Sequence, residues 1–422
     1  MKMVSMKIAI ITNILTPYRI PLFEEMRKHV SALKVFLMTN QEENRQWELQ
    51  QPRFATEVIS GLHWKPPGKD ISLHFNYGLI RQLRKFSPDV VLSGGFAPAN
   101  LQALLYCKLH GKRYVTWGEV SKNDGIHGLS GRMLLRKIHG RLADGAIASS
   151  TEAQLAFLDY GVPSARLLNR MMPIPVESFH QHVCHFRQSE HFSTLKARFR
   201  SPILLSVGQI TERKGIAELF AIYEAVLQQV PEASLIIVGD GPDREKWEQH
   251  AKQKQLRNVH VLGFVQFDQL PQYFAVADIF LFTTLRDPLG AVLIEAMAAK
   301  IPAVSSIHAA ATIDLVEDGV TGFRIDPSNV NHASMVVIQA LNLSSDQKRR
   351  LVADAFQRIR SVDVRPSAEA MIKFLSSLTT LKNPRKMHGE QTLAARLDNT
   401  SSPFEKNSLP SKTSNISAKL PR

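Results

Sequence analysis

Short, predominantly apolar runs recur along the chain at 7–15, 33–38, 90–92, 113–116, 145–149, 203–207, 234–238, 259–262, 278–282 and 301–304, with a further strand expected at 54–59. Runs of this kind, apolar on both faces, are the mark of parallel strands covered by helices. Between them the apolar positions move to helical spacing: Leu22, Phe23 and Met26, then 75–86, 100–109, 129–142 and 152–160. The same spacing returns at Ile216, Leu219, Phe220, Tyr223 and Val226, at 291–298, and in helices that continue to about 378. In 129–142 the pattern turns Leu135, Ile138 and Leu142 inward and Arg132, Arg136, Lys137 and Arg141 outward. Alternation of strand and helix throughout predicts an α/β chain built on two doubly wound parallel sheets.

The pattern lapses from Met172-Pro173-Ile174-Pro175-Val176 to about 200, which reads as a connector. The expected units are therefore 1–172, a linker at 173–200, a second domain at 201–362, a helix at 363–381 that crosses back to the first domain, and a tail at 382–422. That tail is rich in Ser, Asn, Lys and Pro with little periodicity, and is expected to be disordered.

Chemistry concentrates in 203–302. The run 203–207 opens into Gly208-Gln209-Ile210-Thr211-Glu212-Arg213-Lys214-Gly215 and then a helix. A turn feeding a helix aims free backbone N–H groups and the positive end of the helix dipole at one point, and Arg213 and Lys214 add two cations. An anion is expected there. The next two strands end in Gly239-Asp240-Gly241-Pro242 and in Gly263-Phe264, where glycine lets a ligand approach the backbone. The strand after those leads through Asp287-Pro288-Leu289-Gly290 into the helix of Glu295. Eight residues along a helix fall roughly 80° from repeating, so Asp287 and Glu295 can face one cleft and hold a polyhydroxylated ligand at two points.

The Gly-x-x-x-x-x-Lys-Gly loop at 208–215, the two acids flanking Gly290, and the Glu-Ala-Met-Ala helix at 295–298 resemble the retaining nucleotide-sugar glycosyltransferases of family four, the glycosyl transferases group 1 type. The resemblance covers 203 to about 327 well and the N-terminal half loosely. It implies the GT-B fold, in which two Rossmann-like domains face a cleft, with acceptor on the first and donor nucleotide on the second. It also implies that Lys214 and a nearby arginine hold the diphosphate, that Glu295 holds the ribose hydroxyls, and that Asp287 lies by the donor sugar. Gly208, Gln209, Gly239, Gly263 and Gly290 would border the nucleotide. No metal and no cofactor beyond the nucleotide-diphosphate sugar is implied. Four positions depart from the family's pattern: Gln209 stands for an arginine, Asp287 for a glutamate, Lys300 for a glycine, and Ala310-Ala311 for a Gly-Gly pair. Arg213 is placed to restore the missing cation.

The net charge of +14 is unevenly placed. Residues 1–172 hold 23 basic and 13 acidic side chains, a net +10; 173–381 hold 21 and 22, a net −1; and 382–422 hold 8 and 3, a net +5. A basic first half points to an anionic surface or acceptor as partner for that half alone. Nucleic acid is a poor fit, because the basic residues show no aromatic interleaving and no recognised motif. No apolar run approaches the roughly 18 residues that a membrane span requires. Two cysteines, Cys107 and Cys184, exclude a disulfide framework and suit a reducing compartment, so a cytoplasmic protein, peripheral on the inner face of the plasma membrane, is expected.

Three further features bear on the acceptor side. Thr16-Pro17-Tyr18-Arg19-Ile20-Pro21-Leu22-Phe23 resembles a subgroup of these transferases that lacks the usual Gly-rich first loop. Tyr18 and Arg19 are read first as structural and second as substrate contacts. Gly94-Gly95 can admit a ligand, though the histidine many relatives carry nearby is missing. Glu119 follows a strand end, where open α/β sheets bind ligands, and is read evenly as acceptor contact or salt-bridged loop residue. The histidines at 180, 182, 185 and 191 with Cys184 match no established zinc spacing and read as a solvated connector. The expected function is retaining sugar transfer to a glycan or lipid-linked acceptor in surface polysaccharide biosynthesis. The alternatives are a degenerate, non-catalytic binder of the same fold and, less favoured, a sugar-nucleotide epimerase, which would want more acids and histidines along the cleft.

Overall fold

Two parallel sheets carry the chain, each built around central strands whose side chains are buried on both faces. The computed structural model describes residues 3–40, 47–48, 51–64, 73–120 and 131–380. The tail at 382–422 and residues 41–46, 49–50, 65–72 and 121–130 lie outside the described residues. In chain order the strands are β1 Val4–Thr12, β2 Val30–Leu37, β3 Ala55–Val58, β4 Leu62–Trp64, β5 Leu73–Phe75, β6 Val90–Gly94, β7 Arg113–Gly118, β8 Gly145–Ala148 and β9 Leu167–Asn169. They continue as β10 Ile203–Val207, β11 Ser234–Val238, β12 Val259–Gly263, β13 Ile279–Phe282, β14 Ala303–Ser306 and β15 Phe323–Ile325. The first sheet runs β3-β2-β1-β6-β7-β8-β9 and the second β12-β11-β10-β13-β14-β15, with β4 and β5 forming a separate two-stranded ribbon. Every pairing within the two large sheets is parallel. Both are doubly wound, with the strand order reversing beside β1 and beside β10, and ligands in such sheets lie at the carboxyl ends of the strands where the order reverses.

Three local expectations are corrected. The segment at 75–86 is not one helix: β5 ends at Phe75 and a helix begins at Leu79. The connector is not solvated coil but two helices, Val176–Gln188 and His191–Lys196. Its Val176, Phe179 and Val183 are buried, at a spacing of three and then four residues, against Phe274 and its neighbours. The helix Gly131–Leu142 turns His139 and Gly140 inward and leaves Leu134, Ile138 and Leu142 exposed. The reason is steric: a Cβ at Gly140 would lie 2.3 Å from the carbonyl oxygen of Tyr160, so only glycine permits this approach.

The final helix, Val364–Thr380, packs against the first sheet, since a Cβ at Gly145 in β8 would meet Leu378 at 2.9 Å and Phe374 at 3.0 Å. Asp363 at its start accepts from the backbone N–H of Val176 at 3.1 Å, and Arg170 donates to Ser361 O at 2.8 Å. No described helix is long and apolar enough to cross a membrane.

Candidate functional site

At the carboxyl end of β10 the chain turns at Gly208 and Gln209 and then forms one turn of 3-10 helix, Glu212–Lys214, ahead of the helix Ile216–Leu227. Gly215 joins the two with φ of +67°, and a Cβ there would lie 1.9 Å from the carbonyl oxygen of Thr283. That close approach bolts the loop to the end of β13. Thr283 Oγ1 donates to Gly215 O at 2.9 Å, Thr284 Oγ1 to Arg213 O at 3.3 Å, and the Leu285 N–H to Arg213 O at 3.1 Å. No such role for Gly215, Thr283 or Thr284 follows from the sequence pattern. The signal available is a glycine at a strand-to-helix turn facing a Thr pair at the end of the neighbouring strand.

The clamp delivers Lys214 to Asp287. The ammonium donates to Asp287 Oδ2 and stands 5.8 Å from the ring centre of Phe282, while Asp287 Oδ1 accepts the N–H groups of Leu289 at 3.0 Å and Gly290 at 2.8 Å. Burial alone would raise the Asp287 pKa. The Lys214 charge and these hydrogen bonds outweigh it and hold the carboxyl below its ordinary range. Backbone bonds fix the loop on its other side, from Asp287 N to His308 O at 3.1 Å and from Ala310 N to Asp287 O at 3.0 Å. Ala310-Ala311 therefore start a helix that accommodates the Asp287 loop through backbone groups.

Gly290, with φ of +79°, is the N-cap of the helix Ala291–Ala298. Glu295 projects from that helix and is only 7% exposed. No described cation forms an ion pair with it, and desolvation by burial pushes its pKa up to about 8. Lys300, where the family has glycine, holds φ of +54° and places its ammonium 4.4 Å from the ring centre of Phe356.

The glycines divide by role. A Cβ on Gly208 would meet nothing within 4 Å, so space lies open over that turn. Gly239 instead packs on Gly208, whose oxygen would lie 1.8 Å from an added Cβ, and its N–H donates to Gly263 O at 2.8 Å. Gly263 in turn lies against the Arg244 guanidinium, 2.6 Å from the position a Cβ would take. Gly239 and Gly263 stack three loops on one another. Gln209 is half-buried, and Arg213 is exposed, donating to Arg286 O at 2.9 Å.

On the first sheet, the carboxyl ends of β1 and β7 bring Arg19 and Glu119 together at 3.2 Å. Arg19 also donates to Thr12 Oγ1 at 2.9 Å and lies 5.0 Å from the ring centre of Trp117. Gly95 has φ of +87° with open space at its Cβ position. Of the histidine cluster, His180 lies 2.9 Å from Ala298 O and 4.8 Å from the Phe356 ring centre, which are packing contacts.

Residues 187–358 match the family model described as glycosyl transferases group 1. The chain is 30% identical over 134 residues to a sulfoquinovosyl transferase of Arabidopsis thaliana, spanning 31% of this chain and 24% of that protein. It is 26% identical over 247 residues to a 2-deoxystreptamine N-acetyl-D-glucosaminyltransferase of Niallia circulans, spanning 57% of this chain and 61% of that one. The chain thus spans less than two thirds of the length of these curated relatives. Among solved structures, Anabaena HepE in complex with UDP and glucose aligns with a TM-score of 0.66 at 17% identity, over 88% of this chain and all of that one. A glycosyltransferase from Rickettsia africae aligns with a TM-score of 0.69 at 13% identity, over 89% and 99%. The fold is accordingly GT-B, and residues 187–358 carry the match to the glycosyl transferases group 1 model.

Proposed function

We propose that this protein is a retaining glycosyltransferase that moves a sugar from a nucleotide-diphosphate sugar to a glycan or lipid-linked acceptor, as a step in surface polysaccharide biosynthesis. The observation that carries the reading is the contact of Lys214 with Asp287, whose carboxylate also accepts from Gly290 at the start of the helix that carries the buried Glu295. In this reading residues 201–362 hold the donor. Lys214 and Arg213 meet the diphosphate, which gains charge as it leaves, so their attraction strengthens toward the transition state. Glu295 meets the ribose hydroxyls, and Asp287 sets the Lys214 position beside the sugar. The departing phosphate accepts the acceptor's proton, so neither a protein base nor a metal cofactor is required.

Residues 1–172 take the acceptor, at the edge where Arg19 and Glu119 meet. Their net +10 suits a cytoplasmic protein docked on the inner face of the plasma membrane, where a lipid-linked acceptor resides. UDP in the HepE complex supports a uridine nucleotide as the first donor to test.

A second reading, a non-catalytic binder of nucleotide-sugars, is favoured by one observation: the Lys214 charge is already neutralised by Asp287. A panel of nucleotide-sugars separates the two. A donor at a hundred times its dissociation constant stabilises by about 2.7 kcal/mol, visible as a thermal shift. Transfer with the same anomeric configuration in product and donor, read by NMR, supports the transferase; stabilisation without turnover against a range of acceptors supports the binder. No shift with any nucleoside diphosphate would remove both.

A further inference from the structure

The ribbon of β4 and β5 wears its apolar face outside. Its antiparallel register pairs Leu62 with Phe75, His63 with His74 and Trp64 with Leu73, so alternation sets Leu62, Trp64 and Phe75 on one face and the two histidines on the other. On the histidine face His74 is buried, with its Nδ1 2.9 Å from Nδ1 of His63, which is itself exposed. The opposite face is open, with Leu62 71%, Trp64 61% and Phe75 54% exposed, and Tyr77 just beyond at 65%. A ribbon in a water-soluble setting ordinarily does the reverse.

This presentation is anchored. A lone two-stranded ribbon is marginal in water, yet here the buried Asn76 donates to Met38 O at 2.8 Å and to Ile59 O at 2.9 Å. The strands also meet closely at Gly61, where a Cβ would lie 2.6 Å from Phe75 O. Met38 N donates to Thr12 O at 2.9 Å, and Thr12 Oγ1 accepts from Arg19. The ribbon therefore stands at the same edge of the first sheet as Arg19 and Glu119.

The neighbouring elements share its character. The helix Pro98–His110 touches both β5 and the helix Gly131–Leu142. It exposes Leu105 and Leu109, and the second helix exposes Leu134, Ile138 and Leu142, one stripe at i, i+4 and i+8, together with Arg132 and Arg141.

We propose that the outer face of the β4–β5 ribbon is an interfacial membrane anchor: Leu62, Trp64, Phe75 and Tyr77 enter the headgroup region of an anionic bilayer. Trp and Tyr are the residues that settle at that depth, with an apolar body and a polar tip. The occupant is a bilayer because the helix Gly131–Leu142 sets exposed Arg132 and Arg141 beside its apolar stripe, in a first half carrying +10, and that mixture complements anionic headgroups over hydrocarbon. The proposal rests on the membrane-docking part of the proposed function and names the element that penetrates, which the charge distribution alone does not.

The test uses the full chain with phosphatidylcholine vesicles, with and without phosphatidylglycerol, bearing brominated acyl chains that quench nearby tryptophan. The other tryptophans stand apart from the ribbon's outer face: Trp117 is buried, Trp247 stacks on Phe220, and Trp47 meets Tyr18 edge-on. Quenching is expected with anionic vesicles, most of it lost in Trp64→Phe, and the vesicle dissociation constant should rise at least about tenfold in Leu62→Ser/Phe75→Ser. A nucleotide-sugar thermal shift equal to the parent's confirms that the variants fold. Co-sedimentation with anionic vesicles but no quenching, or quenching that Trp64→Phe leaves intact, overturns the ribbon as anchor and leaves membrane docking standing. Absence of sedimentation overturns both, and the donor shift still reports separately on the transferase. A dimer in sedimentation velocity that the double variant dissolves, with vesicle binding unchanged, assigns the face to a second copy and also overturns the proposal.

Discussion

Asp287 holds Lys214 with one carboxylate oxygen and caps the turn into the Glu295 helix with the other, accepting from the N–H groups of Leu289 and Gly290. Both oxygens are used, so the shorter acid fits a loop that has closed around it. A longer side chain at this position has to move either the cap or the lysine. Asp287→Glu is therefore expected to lower kcat/KM by at least about tenfold, since a displacement of about 1 Å at a reacting centre can cost a hundredfold. Steady-state kinetics with the identified donor checks this. A tenfold gain would mean that the aspartate is an impairment and that the loop has not adapted.

Removing Lys214 separates binding from scaffolding. In the proposed reading Lys214→Ala loses a charge-assisted contact to the diphosphate worth about 1.5 to 3 kcal/mol, so nucleoside diphosphate affinity should fall about 10- to 100-fold and kcat should fall with it. It also leaves Asp287 buried without its counter-charge, so a lower Tm is expected and has to be measured alongside. Calorimetry showing unchanged diphosphate affinity would take Lys214 out of the site.

Much of the fold and of the loops that build the candidate site is legible in the sequence, for identifiable reasons. Strands such as β10 and β13 are buried on both faces, so their apolar runs stand out, and the glycines at their carboxyl ends mark the loops. What is not legible depends on backbone packing. Gly140 decides which face of the helix Gly131–Leu142 is buried, because its missing Cβ lets the helix meet Tyr160 O, and apolar spacing then points the wrong way. The helix Val176–Gln188 does carry its signal in Val176, Phe179 and Val183, but interspersed histidines and flanking prolines mask it. The clamp from Thr283 and Thr284 to the Lys214 loop joins residues about seventy positions apart, which no local pattern records.

In the proposed reading, Glu295 ties donor binding to pH. Its pKa rises from an ordinary 4.5 to about 8 in the folded protein because burial desolvates the charged form. The folded chain then binds the proton more tightly than the unfolded chain. Its stabilising contribution is full below pH 4.5 and is lost as pH rises toward 8, at about 1.4 kcal/mol for every tenfold difference in proton affinity between the two states. Glu295→Gln, which cannot ionise, should accordingly be more stable than the parent at pH 8, with the difference shrinking as pH falls to 4.5. It should also lose most donor affinity if the carboxyl holds the ribose. Thermal melts across that range, with and without nucleotide, read both. Parallel melting curves for the two proteins would show that the carboxyl is not desolvated.

On the proposed acceptor side the decisive pair is Arg19 and Glu119, 3.2 Å apart at the carboxyl ends of β1 and β7. The pair is half-buried, and Arg19 is already fixed by Thr12 and by the face of Trp117, so Glu119 is the member with freedom to meet an incoming hydroxyl. If it does so, Glu119→Gln should raise the acceptor KM about 10- to 100-fold, the range of one hydrogen bond to a charged group, and leave donor affinity as it was. Slow hydrolysis of the donor in the absence of acceptor should also be unchanged, because water needs no positioning by this edge. A purely structural salt bridge predicts a different pattern: lower Tm in Glu119→Gln, unaltered acceptor KM, and equal loss in both reactions. Arg19→Lys discriminates further. It keeps the charge but loses the fork that reaches Thr12 and Glu119 together, so it should reproduce part of the acceptor defect. Measuring transfer against donor hydrolysis in both variants decides between the two roles, and equal losses in the two reactions would assign the pair to the scaffold.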